Sequence, residues 1–171
     1  ITRKVADKLQ ELFNTARADF EGKWDDLKIF IEYGIVTDEK FAEKAEGFML
    51  LKNTAGSYFT LAEYRDKVKE NQTDRNGTVI YIYTDDAVGK HSFVRGAEEK
   101  GYDVLLMDGQ LDNHFVSWYE NKEKGCRFVR VDSDVAERLI DKETSMSMSL
   151  SSEQQDIMRP VFESQLPTDQ K

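Results

Sequence analysis

The sequence has few of the residues that build disulfides, metal sites and membrane spans. It contains one cysteine, Cys126, and two histidines, so an internal disulfide cannot form and no Cys-x-x-Cys metal-ligand pair exists. No apolar run approaches the ~20 residues of a membrane-spanning helix, and the N-terminal stretch lacks the apolar segment of a signal peptide. These absences predict a cytoplasmic protein with no metal site and no membrane partner.

Basic charge is also scarce. The 171 residues include 24 Lys plus Arg against 33 Asp plus Glu, which gives a net charge of −9. Such a surface repels phosphate backbones, so we expect no nucleic-acid partner. The sequence has neither G-x-G-x-x-G nor G-x-x-x-x-G-K-[ST], so it predicts no nucleotide cofactor in this chain. The chain begins with Ile1, and we expect it to be part of a longer protein.

Apolar residues at helical spacing predict a helical bundle in the first sixty residues. The first helix has one apolar face, the second ends at Gly34, and Thr37 caps the third. The faces predicted to be buried are Val5, Leu9, Leu12, Phe13, Ala16 and Phe20; Trp24, Leu27, Phe30 and Ile31; and Phe41, Ala42, Ala45, Phe48 and Met49. A fourth helix is predicted over residues 61–70, with a capping box from Thr60 and Glu63 and a hydrophobic staple from Phe59 and Tyr64.

The pattern changes after residue 77. Short runs rich in aliphatic, β-branched and aromatic residues at 78–83, 103–107 and 127–131 predict three strands. The connections of about 20 residues favour parallel pairing with covering helices. The residues expected to face the sheet are Val88, Phe93, Val94 and Ala97 in the first connection, and Leu111, Phe115, Val116 and Tyr119 in the second. The predicted fold class is α/β: a helical connector bundle followed by a small three-stranded parallel α-β-α sandwich.

Three aspartates follow predicted strands. Asp85 and Asp86 come after the first strand and Asp108 after the second, at the edge where open α/β sheets bind ligands. This arrangement is compatible with a Mg²⁺ site or a receiver-like phosphoacceptor, although the receiver topology does not fit. The simpler interpretation is that these aspartates cap the helices that follow.

Neither histidine has a partner at metal-ligand spacing, no Ser/His/Asp order is evident, and Cys126 at a strand start is typical of a core residue. We therefore expect no catalytic residue. The segment LDNHFVSWYEN is dense in aromatic residues, and if Phe115 and Tyr119 point inward at i, i+4, then His114 and Trp118 form a second pair turned toward solvent. An exposed Trp118 would predict a contact surface, whereas a packed one would indicate a structural role.

Longer motifs resemble a known family. KWDDLKIFIEYGIVTDEKF (23–41), LLKNTAGSYFTLAEY (50–64), the strand followed by YTDD (83–86) and GYDVLLMDGQLDNHF (101–115) are similar, in order, to the middle segment of the ninety-kilodalton heat-shock chaperones of the bacterial HtpG type. The resemblance covers residues 1–142. It implies an ATP-driven homodimeric chaperone whose nucleotide domain precedes this segment and whose dimerisation domain follows it.

The resemblance also implies a division of the chain. Residues 1–76 correspond to the helical connector, residues 77–132 to the smaller α/β part, and residues 133–171 to a tail leading toward the dimerisation domain. The ATP and Mg²⁺ site and the family's arginine loop lie outside the chain, so we expect a non-catalytic segment. Expected partners are unfolded client proteins, sister domains and the parent homodimer, with His114, Phe115, Trp118 and Tyr119 as candidate contact residues. A structural spacer without a binding face is the remaining alternative.

Overall fold

The structure, a computed structural model, describes residues 2–142. Its helices are α1 (Thr2–Thr15), α2 (Arg17–Gly22), α3 (Trp24–Thr37), α4 (Glu39–Ala45), α5 (Leu61–Val68), α6 (His91–Glu99) and α7 (Asp112–Lys122). Its strands are β1 (Leu50–Lys52), β2 (Tyr58–Thr60), β3 (Val79–Thr84), β4 (Val104–Leu106) and β5 (Cys126–Arg130). A 3₁₀ turn follows at Ala136–Arg138. Residues 143–171, most of the predicted tail, lie outside the described residues.

The N-terminal helix is broken where the sequence predicts one continuous face. Ala16 separates α1 from α2 with φ −148° and ψ 58°, which is not helical. Because the break resets the helical phase, the buried residues are Ala6 and Phe20, while Val5, predicted to be buried, is 49% exposed. The prediction that Val5 belongs to the core was therefore wrong.

Helix α3 continues through Gly34, where the sequence predicted its end. A Cβ at Gly34 would lie 2.6 Å from ring carbons of Phe41, so the glycine is required by the close approach of α3 and α4. Asp38 caps α4 in place of Thr37, because its Oδ1 accepts the Phe41 N–H at 3.0 Å. Phe30, which the pattern placed inside, is 73% exposed on the outer face of α3.

A short antiparallel hairpin, which the sequence analysis did not predict, precedes α5. Strands β1 and β2 pair in the register Leu50↔Thr60, and with three residues each they carry too little periodicity to be recognised. The capping box at the start of α5 is confirmed, since Thr60 Oγ1 accepts the Glu63 N–H and Glu63 accepts the Thr60 N–H. The Phe59 and Tyr64 rings of the staple lie 5.8 Å apart.

The three-stranded sheet is parallel, as predicted, with the order β4-β3-β5. One face packs on α6 and the 3₁₀ turn through Val94 and Ala97, but Val88 and Phe93, also predicted to face the sheet, are 88% and 48% exposed. The other face joins the helical half in one continuous core. That core includes Ala6, Phe20, Trp24, Phe48, Tyr64, Tyr81, Leu105, Phe115 and Phe128. Within the described residues, no helix combines the length and apolar character needed to cross a bilayer.

Candidate partner-binding surface

Helix α7 is held against the sheet by aromatic side chains on successive turns. Phe115 is fully buried and Tyr119 is 7% exposed, and their rings stack at a centroid distance of 5.9 Å. Tyr119 also stacks on Tyr81 of β3 at 6.2 Å. These contacts fix the orientation of α7, and they place both residues inside the core, as the i, i+4 reasoning predicted. Phe115, also named above as a candidate contact residue, is fully buried, so its side chain cannot serve as one.

The other predicted pair faces outward to different extents. His114 is exposed, and Trp118 is half-buried. The Trp118 ring lies 5.9 Å from that of Phe115, so one side of it packs on the core. Lys122 Nζ lies 5.3 Å from the Trp118 ring centroid, in a cation–π contact. Trp118 therefore packs on the core and is also partly exposed, so the structural interpretation and the contact-surface interpretation each describe part of its side chain.

A groove runs beside this helix between the end of α4, α5 and α7. It has a volume of about 270 Å³, and it is lined by Glu46, Leu61, Ala62, Arg65, Tyr119, Lys122 and Glu123. Arg65 pairs with Glu123 at 3.1 Å across it, and Lys122 pairs with Glu46. The Arg65 hydrogen bond lowers the pKa of Glu123. The charged side chains that line the groove are therefore paired with one another.

A buried charge cluster, which the sequence analysis missed, joins α3 to the start of α7. Asp112 is 3% exposed and Glu32 is 1% exposed, while Lys28 Nζ lies 2.7 Å from Asp112 Oδ1. Burial, followed by the hydrogen bond to Asp112, raises the pKa of Glu32 to about 9, so Glu32 carries a proton at neutral pH. A lysine and a glutamate four residues apart on a helix usually form a solvent-exposed pair. Lys28 instead binds Asp112, which is 84 positions further along the chain, so spacing alone does not show that this cluster is buried.

The three strand-end aspartates have separate roles. Asp86 Oδ1 accepts the Val88 and Gly89 N–H groups at 3.1 and 2.8 Å, so it caps the turn before α6. Asp85 pairs with Lys90, and this hydrogen bond lowers its pKa. Asp108 is exposed, and the Gly109 N–H after it is instead accepted by Asp112 at 2.6 Å. Over residues 2–142, no group of three His, Cys, Asp or Glu side chains is arranged to hold a metal ion.

Cys126 is buried in the core, whereas His91 lies on the surface. The Cys126 thiol is buried at the start of β5, and burial raises its pKa to about 12, which keeps it protonated. Its Sγ lies 3.4 Å from the Glu123 carbonyl oxygen. His91 is exposed at the first residue of α6. Cys126 is thus placed as the core residue that the sequence suggested.

Comparison with known proteins assigns the chain to a family. The family model of the Hsp90 protein matches residues 1–165. The chain is 48% identical over 171 residues to the chaperone protein HtpG of Porphyromonas gingivalis, covering all of this chain and 25% of that protein. It is 48% identical over 167 residues to HtpG of Bacteroides thetaiotaomicron, covering 98% of this chain and 24% of that protein. The chain thus spans about a quarter of the length of these relatives.

A solved structure supports the same assignment at the level of the fold. The middle domain of a Plasmodium falciparum heat shock protein matches with a TM-score of 0.54 and 18% identity, over 77% of this chain and 55% of that one. The motif resemblance, the family model and the relatives therefore agree, and the fold is that of a middle domain. The chain belongs to the Hsp90 family of chaperones, in its HtpG branch.

Proposed function

We propose that this chain is the non-catalytic middle segment of an ATP-dependent, homodimeric cytoplasmic chaperone, and that it couples nucleotide-driven domain motion to the binding of unfolded client proteins. Its similarity to HtpG over the whole chain supports the chaperone role. The ATP and Mg²⁺ site then belongs to a part of the parent protein outside this chain. The purified chain should show no ATP turnover above a buffer control, and turnover that persists through repurification would contradict this.

The observation that carries the client-binding role is the α7 surface, which consists of His114 and Trp118. His114 is exposed and Trp118 is half-buried, while Phe115 and Tyr119 hold the helix against the core. A rigid, partly exposed tryptophan offers a large apolar contact at little cost in side-chain entropy. Unfolded chains expose apolar side chains, so this surface matches their chemistry.

The continuous core supports the mechanical role. Helices α1 to α4 and the sheet share one set of buried side chains, and the Lys28–Asp112 ion pair joins α3 to α7 through a site that is almost closed to solvent. A close-packed core of this kind transmits displacement instead of absorbing it. Motion applied to the helical half would therefore reach α7 with little loss.

A mutational binding experiment tests the client surface. A permanently unfolded, fluorescently labelled protein is titrated with the wild type, with His114→Ala, with Trp118→Ala and with Phe93→Ala as an exposed aromatic control on α6. We expect the Trp118 change to weaken binding about tenfold or more, which corresponds to ~1.4 kcal/mol, while Phe93→Ala has no effect. Equal affinities for all four proteins would contradict the assignment of the surface to α7.

A stability measurement on the same variants separates the contact role from a purely structural one. Trp118 is half-buried, so Trp118→Ala should cost less than the ~3–5 kcal/mol of a fully buried aromatic residue. A loss of stability in that range, without a change in client affinity, would favour the spacer interpretation.

A further inference from the structure

The parallel sheet has two edge strands, and the edges are covered in different ways. At the β4 edge, the hairpin forms an antiparallel bridge between Asn53 and Leu105, and the Thr54 N–H donates to the Val104 carbonyl at 2.9 Å. At the β5 edge, the described part of the chain supplies no further strand. An uncovered edge offers its backbone groups to any other extended chain.

The hydrogen-bond register identifies which residues of β5 face that open side. The Val79 N–H donates to the Gly125 carbonyl at 3.0 Å, and the Val131 N–H donates to the Tyr83 carbonyl at 2.8 Å. In a parallel ladder the backbone groups of alternate residues point to the same neighbour. Positions 125, 127, 129 and 131 therefore face β3, and Cys126, Phe128 and Arg130 point away from it.

Contacts of two kinds engage three of these outward backbone groups. At the ends of β5, the adjoining turns supply them: the Cys126 N–H donates to the Glu123 carbonyl at 3.3 Å, and the Arg130 carbonyl accepts the Ser133 N–H at 3.1 Å. In the middle, a side chain reaches over from α7. Glu120 Oε1 accepts the Phe128 N–H at 2.7 Å, a short charge-assisted bond.

We propose that Glu120 protects the β5 edge from self-pairing. Its carboxylate accepts the central N–H of β5 and so prevents this edge from pairing with the β5 edge of a second copy of the chain. A two-fold antiparallel pair centred on Phe128 would need that N–H to donate to the Phe128 carbonyl of the other copy. While Glu120 holds the N–H, the bond is unavailable, and a carboxylate faces the incoming carbonyl.

The sequence of β5 makes the second copy the occupant that fits. Centring the pair on Phe128 places Arg130 opposite Cys126 and Arg127 opposite Val129, so no two arginines are directly opposed. With the carboxylate removed, the Phe128 N–H and carbonyl of two copies can form the two central hydrogen bonds, and no like charges are directly opposed. The Cys126 N–H and the Arg130 carbonyl remain bound to their own turns. This inference does not depend on the proposed client surface, which lies on other residues of α7.

Analytical ultracentrifugation over a wide concentration range tests this role of Glu120 by measuring self-association. Four proteins are compared: wild type, Glu120→Ala, Glu120→Met and Glu43→Ala. Glu120→Met keeps the length of the side chain but cannot accept a hydrogen bond, and it serves if the alanine variant folds poorly. Glu43→Ala removes one exposed acidic charge on α4 and is the charge control. We expect both Glu120 variants to self-associate at least about tenfold more tightly than the wild type and the control.

Amide hydrogen exchange locates the association. In dilute Glu120→Ala, the Phe128 N–H should exchange at least about tenfold faster than in the wild type, and it should become protected again as the variant associates. Equal association constants for Glu120→Ala and Glu43→Ala would overturn the proposal. Association that leaves the Phe128 N–H unprotected would also overturn it, because the contact would then lie elsewhere.

Discussion

Replacing Glu32 by glutamine should stabilise the protein at neutral pH and flatten the pH dependence of its stability. Glu32 and Asp112 are both buried, and Lys28 supplies one positive charge between them. The cluster therefore accommodates one ionised carboxylate, and the second carboxyl must keep its proton. Glutamine has the same shape and a permanent N–H donor toward Asp112, so it needs no proton from solvent.

The size of the effect follows from the pKa of Glu32, which burial raises from 4.5 to about 9. Because the pKa is higher in the folded state, the stabilising contribution is complete below pH 4.5 and is lost progressively as the pH rises toward 9. Each pH unit in that window costs about 1.4 kcal/mol. At pH 7 the free energy of unfolding of the wild type has therefore fallen by about 3 kcal/mol, a loss that Glu32→Gln avoids.

Urea unfolding of both proteins at several pH values from 5 to 8 measures this difference directly, with Glu43→Gln as a surface control. We expect the gap between Glu32→Gln and the wild type to widen as the pH rises, while Glu43→Gln stays parallel to the wild type. Parallel curves for Glu32→Gln and the wild type would refute the protonated state of Glu32 and the charge count of the cluster. Lys28→Met should instead destabilise by ~3–5 kcal/mol, because it leaves Asp112 without its cation.

Three further predictions concern packing, a surface ion pair and the thiol. Gly34→Ala should destabilise the protein by ~1–3 kcal/mol, because the new Cβ would meet the Phe41 ring. Gly96→Ala on α6 should stabilise it by about 0.5–1 kcal/mol, because the new Cβ would lie 3.8 Å from Ala136. Thermal unfolding measures both changes, and changes in stability of the same sign would contradict the packing of α3 on α4. Arg17 binds Glu63 through two hydrogen bonds of 2.6 and 2.7 Å and lowers its pKa to about 2, so this contribution is present above pH 4.5 and is lost as the pH falls toward 2. Since both side chains are more than a third exposed, Arg17→Met should cost about 1 kcal/mol or less at pH 7 in urea unfolding, and a loss of several kcal/mol would mean that the pair is more buried than the structure has it. Cys126 should react with a thiol reagent only at the rate of unfolding, and rapid labelling of the native protein would contradict its burial.

The parts of the fold that the sequence predicted are those governed by local rules. The capping box at Thr60 and Glu63 and the long β3 strand each carry their signal within a few residues. The errors occur where tertiary contacts override such signals. Gly34 was interpreted as a helix end, but it is a close-packing site created by Phe41, and the phase of α1 depends on the break at Ala16.

The candidate surface was partly predictable for the same reason. The i, i+4 spacing in α7 correctly placed Phe115 and Tyr119 in the core and His114 outside it, because the helix lies on a sheet that covers one side of it. Trp118, whose placement the spacing left open, is half-buried against the core. The Lys28–Glu32–Asp112 cluster was not predictable from the sequence. Lys28 and Glu32 lie on one helix, but their partner Asp112 is 84 positions after Lys28. The Glu120 contact with β5 also depends on tertiary geometry that spacing does not encode.

The most direct test of the α7 surface is an amide NMR titration of the chain with a permanently unfolded protein. The proposed function predicts saturable shifts that centre on His114 and Trp118 and extend along the groove beside α7. The exposed residues Val88 and Phe93 on the opposite side of the sheet should remain unshifted. Saturable shifts centred away from α7, or no shifts at saturating client, would contradict a client-binding surface on this helix.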